Sequence, residues 1–385
     1  MQQAILIISP QPWNHIPVSK HNYAMALARR GHRVVFLNPP QDSLLGDSAC
    51  EVVPGHPGVR VLSYRRPWFY RLRFHVPRIH DWLLRRHVTG LLRRYHCAPD
   101  LVWCFDFNLL GDLSRLGADR SIFHPVDPLS DRRHLQPART ADLVLTVSSR
   151  IAGQLAASGR EVHVVNHGLA APFEQLGRET LSGLNSSSMA ERGGLCRSRH
   201  RVGYAGNLGR RPVNRAVLRQ IVAENPQVDF HFWGPAEANS GAASEFIAYL
   251  IKQSNVTLHG AVSQHQLAEG FRTMDAFLLS YAADPTESDR SNSHKILEYL
   301  STGKVVVSSR IQAYEDQAGL LMMSASETDA DLPEIFAETI ARLDEKNSVE
   351  LQKARIEVAL ENSYDRQIDR IFALLNAASL SASAN

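Results

Sequence analysis

The stretch Ser291-Asn292-Ser293-His294-Lys295-Ile296-Leu297-Glu298-Tyr299-Leu300-Ser301-Thr302-Gly303-Lys304 runs directly into Val305-Val306-Val307-Ser308-Ser309. Its first half has the spacing of a helix. Ser291 or Ser293 can cap the start, Ile296, Leu297 and Leu300 form an apolar stripe, and Gly303 stops the turn. The second half is a short unbroken apolar run, the pattern of a buried strand. Lys295 and Glu298 fall about one helical turn apart, so both can address one object near the open end of the helix. That end itself favours an anion. A cation, a carboxylate and a helix dipole on one spot suit a nucleotide diphosphate, the carboxylate taking sugar hydroxyls and the other two taking phosphate. The same residues on an ordinary αβ unit would make a surface ion pair, and the local pattern leaves both readings open.

Upstream, Arg201 to Ala205 reads as a strand that ends in Gly206-Asn207-Leu208-Gly209-Arg210-Arg211 and leads to a helix through Val213 to Glu224. Gly206 and Gly209 let a ligand approach the backbone, and Arg210 or Arg211 can neutralise phosphate. The strand Asp229 to Trp233 ends at Gly234-Pro235, and Val256 to His259 ends at Gly260-Ala261-Val262. Asp275 to Ser280 is another strand, joined by Tyr281 to Asn292 to the stretch quoted above. Downstream the pattern is helical from Leu332 to Leu343 and from Ser348 to Leu375, with Asn376 as a helix stop before the low-complexity end.

The other half of the chain has the same rhythm. Ala4 to Ser9 reads as a buried strand, Pro10 to Ser19 as a loop, and Ser19 as the cap of a helix, Lys20 to Arg30, that precedes a strand from Arg33 to Leu37. This opening implies a doubly wound sheet, whose ligands sit beyond the carboxyl ends of the strands. It holds no GxGxxG, which argues against a dinucleotide-binding domain. Further strands end at Asp106, at His124 and Asp127, at Ser148-Ser149 and at Asn166-His167-Gly168. Asp106, His124 and Asp127 are therefore candidates for acid-base work or for holding an acceptor hydroxyl. Taken singly, each also reads as a structural hydrogen-bonding residue.

Two segments break the rhythm. From Arg60 to Tyr95 the sequence is basic and aromatic, with Arg65, Arg66, Arg71, Arg73, Arg78, Arg85 and Arg86 among Trp68, Phe69, Tyr70, Phe74 and Trp82. Such a mixture can lie on an anionic bilayer, arginines on headgroups and aromatics at the interface. It can equally be a solvated helix pair with ordinary core aromatics. Residues 173–200 are rich in Ser, Gly and charge, without a sustained apolar period, and read as an interdomain linker.

With 385 residues the chain can bury two sizeable cores. A net charge of +3 does not indicate a global nucleic-acid field, and no nucleic-acid partner is expected. Cys50, Cys97, Cys104 and Cys196 have no metal-ligand spacing and are too few to staple the chain, which fits a reducing cytoplasm. Pro10 and Pro12 end the first apolar run too early for a signal peptide, and no stretch approaches the ~20 apolar residues of a membrane span. The expected location is cytoplasmic, at the inner face of the membrane if the basic aromatic segment docks there.

The ordered set Tyr204-Ala205-Gly206-Asn207, Phe232-Trp233-Gly234-Pro235, Asn255 to Gly260, Asp275-Ala276-Phe277 and Lys295 to Leu300 with Gly303 to Val307 resembles the donor domain of GT-B glycosyltransferases. It is most similar to the family-four branch of bacterial surface-polysaccharide enzymes, including the teichuronic-acid type. The likeness covers most of residues 201–310. The first half matches more loosely, through Ser19 to Asn22, Leu27 to His32 and Asn166-His167-Gly168. The resemblance implies an α/β chain of two Rossmann-like doubly wound parallel-sheet domains facing a cleft. They would be an acceptor domain at 1–172 and a nucleotide-sugar domain at 201–345, with 346–385 as a helix crossing back to the first domain and a disordered tail.

It also implies a hexosyltransferase that uses a nucleotide diphosphate sugar, in first place a UDP-sugar, and a saccharide or lipid-linked saccharide acceptor. Lys295 and Arg210 would offset the diphosphate, Glu298 would accept from the ribose, and His259 to Val262, with Gly260, would hold the base through backbone groups. Gly206 and Asn207 would let the phosphates approach, with Gly234, Pro235 and Ser293 beside them. No DxD motif is evident as a metal site, so no metal or other cofactor is expected, the nucleotide sugar being a substrate. Many relatives carry E-x7-E, but the first glutamate's position holds Arg290, which would suit an acidic sugar such as a uronate. Retention of configuration is implied; an inverting enzyme would use Asp106, Asp127 or His124 as base. The competing functions are a nucleotide-sugar epimerase of the same fold and a non-catalytic peripheral membrane or scaffold protein.

Overall fold

Short apolar strands separated by helices leave one arrangement that buries both faces of each strand, a parallel sheet covered by helices. The chain makes two. The structure, a computed structural model, describes residues 2–114, 116–129, 131–186, 199–237, 241–283, 290–317 and 319–383. Its strands are β1 (Ala4–Ile8), β2 (Arg33–Leu37), β3 (Ser48–Val53), β4 (His56–Tyr64), β5 (Leu101–Cys104), β6 (Arg120–Phe123), β7 (Leu143–Thr146) and β8 (Val162–Val164). They are followed by β9 (Arg201–Ala205), β10 (Asp229–Trp233), β11 (Val256–Gly260), β12 (Ala276–Leu279), β13 (Val305–Ser308) and β14 (Leu321–Met323). The first sheet has the order β3-β4-β2-β1-β5-β6-β7-β8 and the second β11-β10-β9-β12-β13-β14. The second is parallel throughout, whereas β3 at the edge of the first runs antiparallel to β4. That hairpin escapes the sequence reading because β3 is only partly buried and carries no continuous apolar run.

The chain divides into two compact units. The first comprises the residues up to Gly168 together with those from Tyr364 onward, and the second is Leu169–Ser363. The expected linker at 173–200 is corrected over its first part, because Ala171–Ser186 is a helix. Phe173, Leu176, Gly177, Thr180, Leu181 and Leu184 recur at helical spacing among the Ser, Gly and charged residues that obscure them. Phe173 packs on Phe271 with ring centroids 5.6 Å apart, so the helix belongs to the second unit. Residues 187–198 lie outside the described residues.

At the other end, Asn376 does not stop the last helix, which runs Tyr364–Ser383. The Ala-rich sequence after it favours continuation, and the Asn376 side chain accepts a 2.8 Å hydrogen bond from Arg120 instead of capping. The helix Ser19–Arg29 is also capped differently from the expectation. Val18 occupies the cap, and its N–H is taken by His21 Nδ1 at 3.3 Å.

The basic aromatic segment forms a 3-10 turn, Trp68–Phe74, and a helix, Pro77–Arg94. Phe69, Leu84, Val88, Leu91 and Leu92 enter the core, but Trp68 (87%), Phe74 (62%), Ile79 (52%) and Trp82 (50%) are exposed. Arg85 does not join that surface. It turns inward to Asp81 at 3.0 Å and Asp112 at 3.4 Å. Among the described residues, no helix is long and apolar enough to cross a membrane.

Candidate functional site

In an open parallel sheet, the connections on either side of the central strand pair run in opposite directions, which opens a crevice at the carboxyl ends. In the second sheet this switch lies between β9 and β12. Three chain segments converge there: the loop after β9, Tyr281 after β12, and the helix His294–Leu300. The helix is fixed by its apolar stripe Ile296, Leu297 and Leu300 and by fully buried Tyr299, whose hydroxyl accepts from Ala205 N–H at 2.7 Å. Tyr299 therefore ties the helix to the end of β9, a tethering role that the sequence does not mark.

Gly206, Asn207, Arg210 and Lys295 line one recess with Tyr204, Pro212, Val213 and Tyr281. Lys295 Nζ donates to the Tyr281 hydroxyl at 2.9 Å, and that hydroxyl lies 3.2 Å from Ser293 Oγ. Ser293 occupies the helix cap position but makes no side-chain capping bond, its hydroxyl being committed to Tyr281. A Cβ on Gly206 would come within 3.2 Å of Lys295 Cε, so the glycine lets the lysine lie over the bare backbone. Gly234 has φ of +124°, and a Cβ there would sit 2.2 Å from the Gly206 carbonyl oxygen. Backbone bonds lace the loops together: Gly206 N to Trp233 O at 2.8 Å, Leu208 N to Pro235 O at 3.0 Å, and Gly234 N to Gly260 O at 2.7 Å. Asn207 closes its own turn by accepting from Gly209 N at 2.8 Å. Val262 follows, half-buried, just before the capped helix Gln264–Phe271.

Glu298 shares the helix with Lys295. Among the described residues its carboxylate has no hydrogen-bond or ion-pair partner within reach. Although part of the residue meets solvent, crowding around the carboxyl raises its pKa to about 7, against the pull of Lys295. It is thus an acceptor held ready for hydroxyl donors. On β10 and β11 at the edge of the same sheet, Trp233 and His259 stack with centroids 4.5 Å apart, and His231 Nδ1 lies 3.0 Å from His259 Nε2.

Arg290 departs from the sequence expectation. Its guanidinium donates twice to the Tyr281 carbonyl, once at 2.9 Å through Nε, and pairs at 2.9 Å with Asp329, whose side chain is fully buried. Asp329 Oδ2 also accepts from Ser309 Oγ at 2.6 Å and Ser280 Oγ at 3.2 Å. An arginine committed to a buried carboxylate holds the loop and is not presented to a substrate acid. Asp329-Ala330-Asp331 has DxD spacing, yet Asp331 is spent on Ser324 Oγ and Ala325 N–H, which keep its pKa low against the effect of burial.

In the first unit the switch lies at β1, between β2 and β5. Asp106 follows β5, is buried, and accepts from Asn108 N at 2.7 Å. Burial raises its pKa against those backbone bonds and the charges of Lys20 and Arg73. Asp127 is exposed on the loop after β6. Both act electrostatically on Lys20, a residue the sequence reading passes over. Lys20 is 2% exposed, and burial lowers its pKa to about 8, opposed by Asp127 and then Asp106. Its sequence signals are its place in the loosely matching Ser19 to Asn22 stretch and a lysine on the core side of a helix that opens at a strand's carboxyl end.

His124 is corrected from candidate base to core residue. It is fully buried, stacks on Phe105 at 5.1 Å, and receives Trp103 Nε1–H at 3.4 Å on Nδ1. Burial drives its pKa to about 3, so it stays neutral and out of solvent's reach.

Residues 199–346 match the family model described as Glycosyl transferases group 1. A sequence comparison with curated proteins gives no significant match. Among solved structures, the chain is similar to Anabaena Alr3699/HepE in complex with UDP and glucose, at TM-score 0.65 and 16% identity over 97% of this chain and 100% of that one. It is similar to sucrose-phosphate synthase from Thermosynechococcus elongatus at 0.67 and 14%, covering 98% and 100%. A structure from E. coli described as trehalose-6-phosphate bound with UDP-2-fluoro glucose aligns at 0.64 and 10%, covering 96% and 98%. At such identities the likeness is one of fold, spread over both units.

Proposed function

We infer that this chain, a glycosyltransferase of the GT-B fold whose residues 199–346 carry the group 1 domain, moves a sugar from a UDP-sugar to a saccharide or lipid-linked saccharide of bacterial surface-polysaccharide synthesis. The observation that carries the reading is the meeting of Lys295 and the bare Gly206 backbone at the switch point of the second sheet, with Glu298 about one turn along the helix that bears Lys295. Uridine is favoured because the Anabaena and E. coli structures were solved with UDP and with UDP-2-fluoro glucose.

Breaking the bond to the sugar leaves negative charge on the diphosphate. Lys295, with Arg210 on the rim of the same recess, is placed to receive that charge. Glu298 accepts from the ribose hydroxyls and sets the register of the donor. With fixed cations on the leaving group the reaction proceeds without a metal. Retention by direct displacement is the course that the family resemblance implies. The acceptor hydroxyl is taken up in the first unit near Asp106, Asp127 and Lys20. The exposed Trp68, Phe74, Ile79 and Trp82, set among Arg71, Arg78 and Arg86, rest on the anionic inner face of the cytoplasmic membrane.

Turnover of UDP-sugars by Lys295→Ala tests the assignment. A fall in kcat/KM of about 10²–10³ is expected, and an unchanged value overturns it.

A further inference from the structure

The first unit contains a cavity of about 520 Å³ that the reading above leaves unused. Arg73, Arg78, Arg133, His80 and His134 line it, and Asp81 and Asp112 are the acids in its wall. Neither acid is available to neutralise a neighbour across the cavity. Asp81 accepts from Gly111 N at 2.6 Å and from Arg85 Nε at 3.0 Å. Asp112 takes Arg85 at 3.4 Å and Ser114 Oγ at 2.7 Å. The arginines facing the space are otherwise placed. Arg73 stands over the Tyr70 and Phe74 rings at 4.9 and 4.5 Å and donates to the Tyr70 hydroxyl at 2.8 Å. Among the described residues neither Arg73 nor Arg78 has a carboxylate within 4 Å, and Arg133 has only the half-buried Asp131 at 2.7 Å.

Two further features point to a ligand. Among the described residues, the Nε2 of His80, which is 4% exposed, has no hydrogen-bond partner and His134 Nδ1 likewise has none, although both residues line the cavity. A buried polar atom without a partner is destabilising unless something fills the role. The helix Pro77–Arg94 also starts at this cavity, with no side-chain cap and no acid in its first turn, so its positive end adds to the arginines. Phe74, Phe107 and Leu109 supply apolar wall, and Phe74 is itself exposed, as are Ile79 and Trp82 on the helix that starts at the cavity.

We propose that this cavity is an anion subsite for the phosphate or diphosphate group of the acceptor, held by Arg73, Arg78 and Arg133 at the start of the Pro77–Arg94 helix, with His80 and His134 as hydrogen-bonding partners. The assignment rests on the transferase reading only in calling the ligand the acceptor. A phosphorylated soluble saccharide and a lipid phosphate present the same group, and the apolar rim accommodates the chain of the second.

Calorimetry on the full chain saturated with UDP, so that the donor site is filled, tests the site with inorganic pyrophosphate as the probe. One pyrophosphate per chain is expected, at least tenfold weaker in Arg73→Gln/Arg78→Gln. Arg78→Gln alone, at an exposed side chain, weakens binding severalfold and controls for misfolding of the double variant. No binding to the UDP-loaded protein, or equal affinity in wild type and both variants, overturns the proposal. A protein that binds pyrophosphate in this arginine-dependent way but binds no UDP refutes the donor assignment and leaves the subsite standing. Replacing the probe by a sugar phosphate, or by a short polyprenyl phosphate in detergent, separates the two sources: the tighter ligand, weakened at least tenfold by the double substitution, is the acceptor class. If neither is weakened, the proposal falls.

Discussion

Glu298→Gln replaces a carboxylate by a neutral amide of the same shape, and the setting of Glu298 fixes what this should do to donor binding. Its pKa in the free protein is about 7, because desolvation outweighs the attraction of Lys295. Hydroxyl groups of a bound ribose donate to the ionised form, so binding requires loss of the proton wherever the pH lies below that value. The wild-type Kd for UDP-glucose at pH 5.5 should therefore be about 30-fold above that at pH 8, or roughly 2 kcal/mol. The phosphates of this ligand are diesters and stay ionised over the range, so they add no slope. Charge-assisted hydrogen bonds contribute about 1.5–3 kcal/mol, so the variant should bind about 10- to 150-fold more weakly at pH 8. Its affinity should also lose the acid-side slope. Titration calorimetry at several pH values measures both effects. A variant that keeps the wild-type slope, or a wild type whose affinity is flat between pH 5.5 and 8, refutes the reasoning.

Arg290→Ala leaves the fully buried Asp329 without its cation and should cost about 3–5 kcal/mol in urea unfolding, with activity lost equally for neutral and acidic donors; a loss confined to a uronate donor would mean that the guanidinium contacts the sugar. His21, with its pKa lowered from 6.5 to about 4 by burial, is bound more weakly by protons in the native state than in the unfolded chain. Stability from this group is complete above pH 6.5 and falls as pH drops toward 4, by about 3 kcal/mol in all, so wild type should lose more than His21→Gln between pH 7 and 4.5. Trp68→Ala/Trp82→Ala should abolish cosedimentation with phosphatidylglycerol vesicles, and Arg86→Gln should weaken it by about 1 kcal/mol. Binding that survives both changes rules out this surface.

The fold is legible because buried parallel strands have a simple signature. Val305 to Val307 and Ala276 to Leu279 are apolar throughout, and the strands they form are buried along their whole length. Where burial is partial the signature fades: Ser48–Val53 pairs only at an edge, and Ala171–Ser186 shows the core a stripe diluted by Ser, Gly and Arg. Helix ends are less legible in the sequence than helix cores. Val18 is a poor cap by type, but His21 reaches back to serve its N–H, and Ser293 is a good cap by type whose hydroxyl is needed by Tyr281. In each case a neighbour distant from the cap residue's own type decided the outcome.

The candidate donor residues divide in the same way. Spacing alone puts Lys295 and Glu298 on one helix, and glycines at the ends of strands mark where backbone can meet a ligand. What Arg290 does depends on Asp329, nearly forty positions away, and on a strand end that delivers the Tyr281 carbonyl. His124 and Asp127 look equivalent in the sequence, three residues apart after one strand, yet one is locked neutral beneath aromatic rings and the other is exposed.

By itself the sequence determined which residues can form strands and helices, the parallel character of the sheets, and which polar residues lie at strand ends, since all of these follow from local period and residue type. Tertiary structure alone decided which charges are spent and which stay available. Desolvation and pairing depend on atoms brought together from distant parts of the chain, so the pKa of Glu298 near 7, the partly discharged Lys20 near 8 and the inward pairing of Arg290 could not be read from spacing.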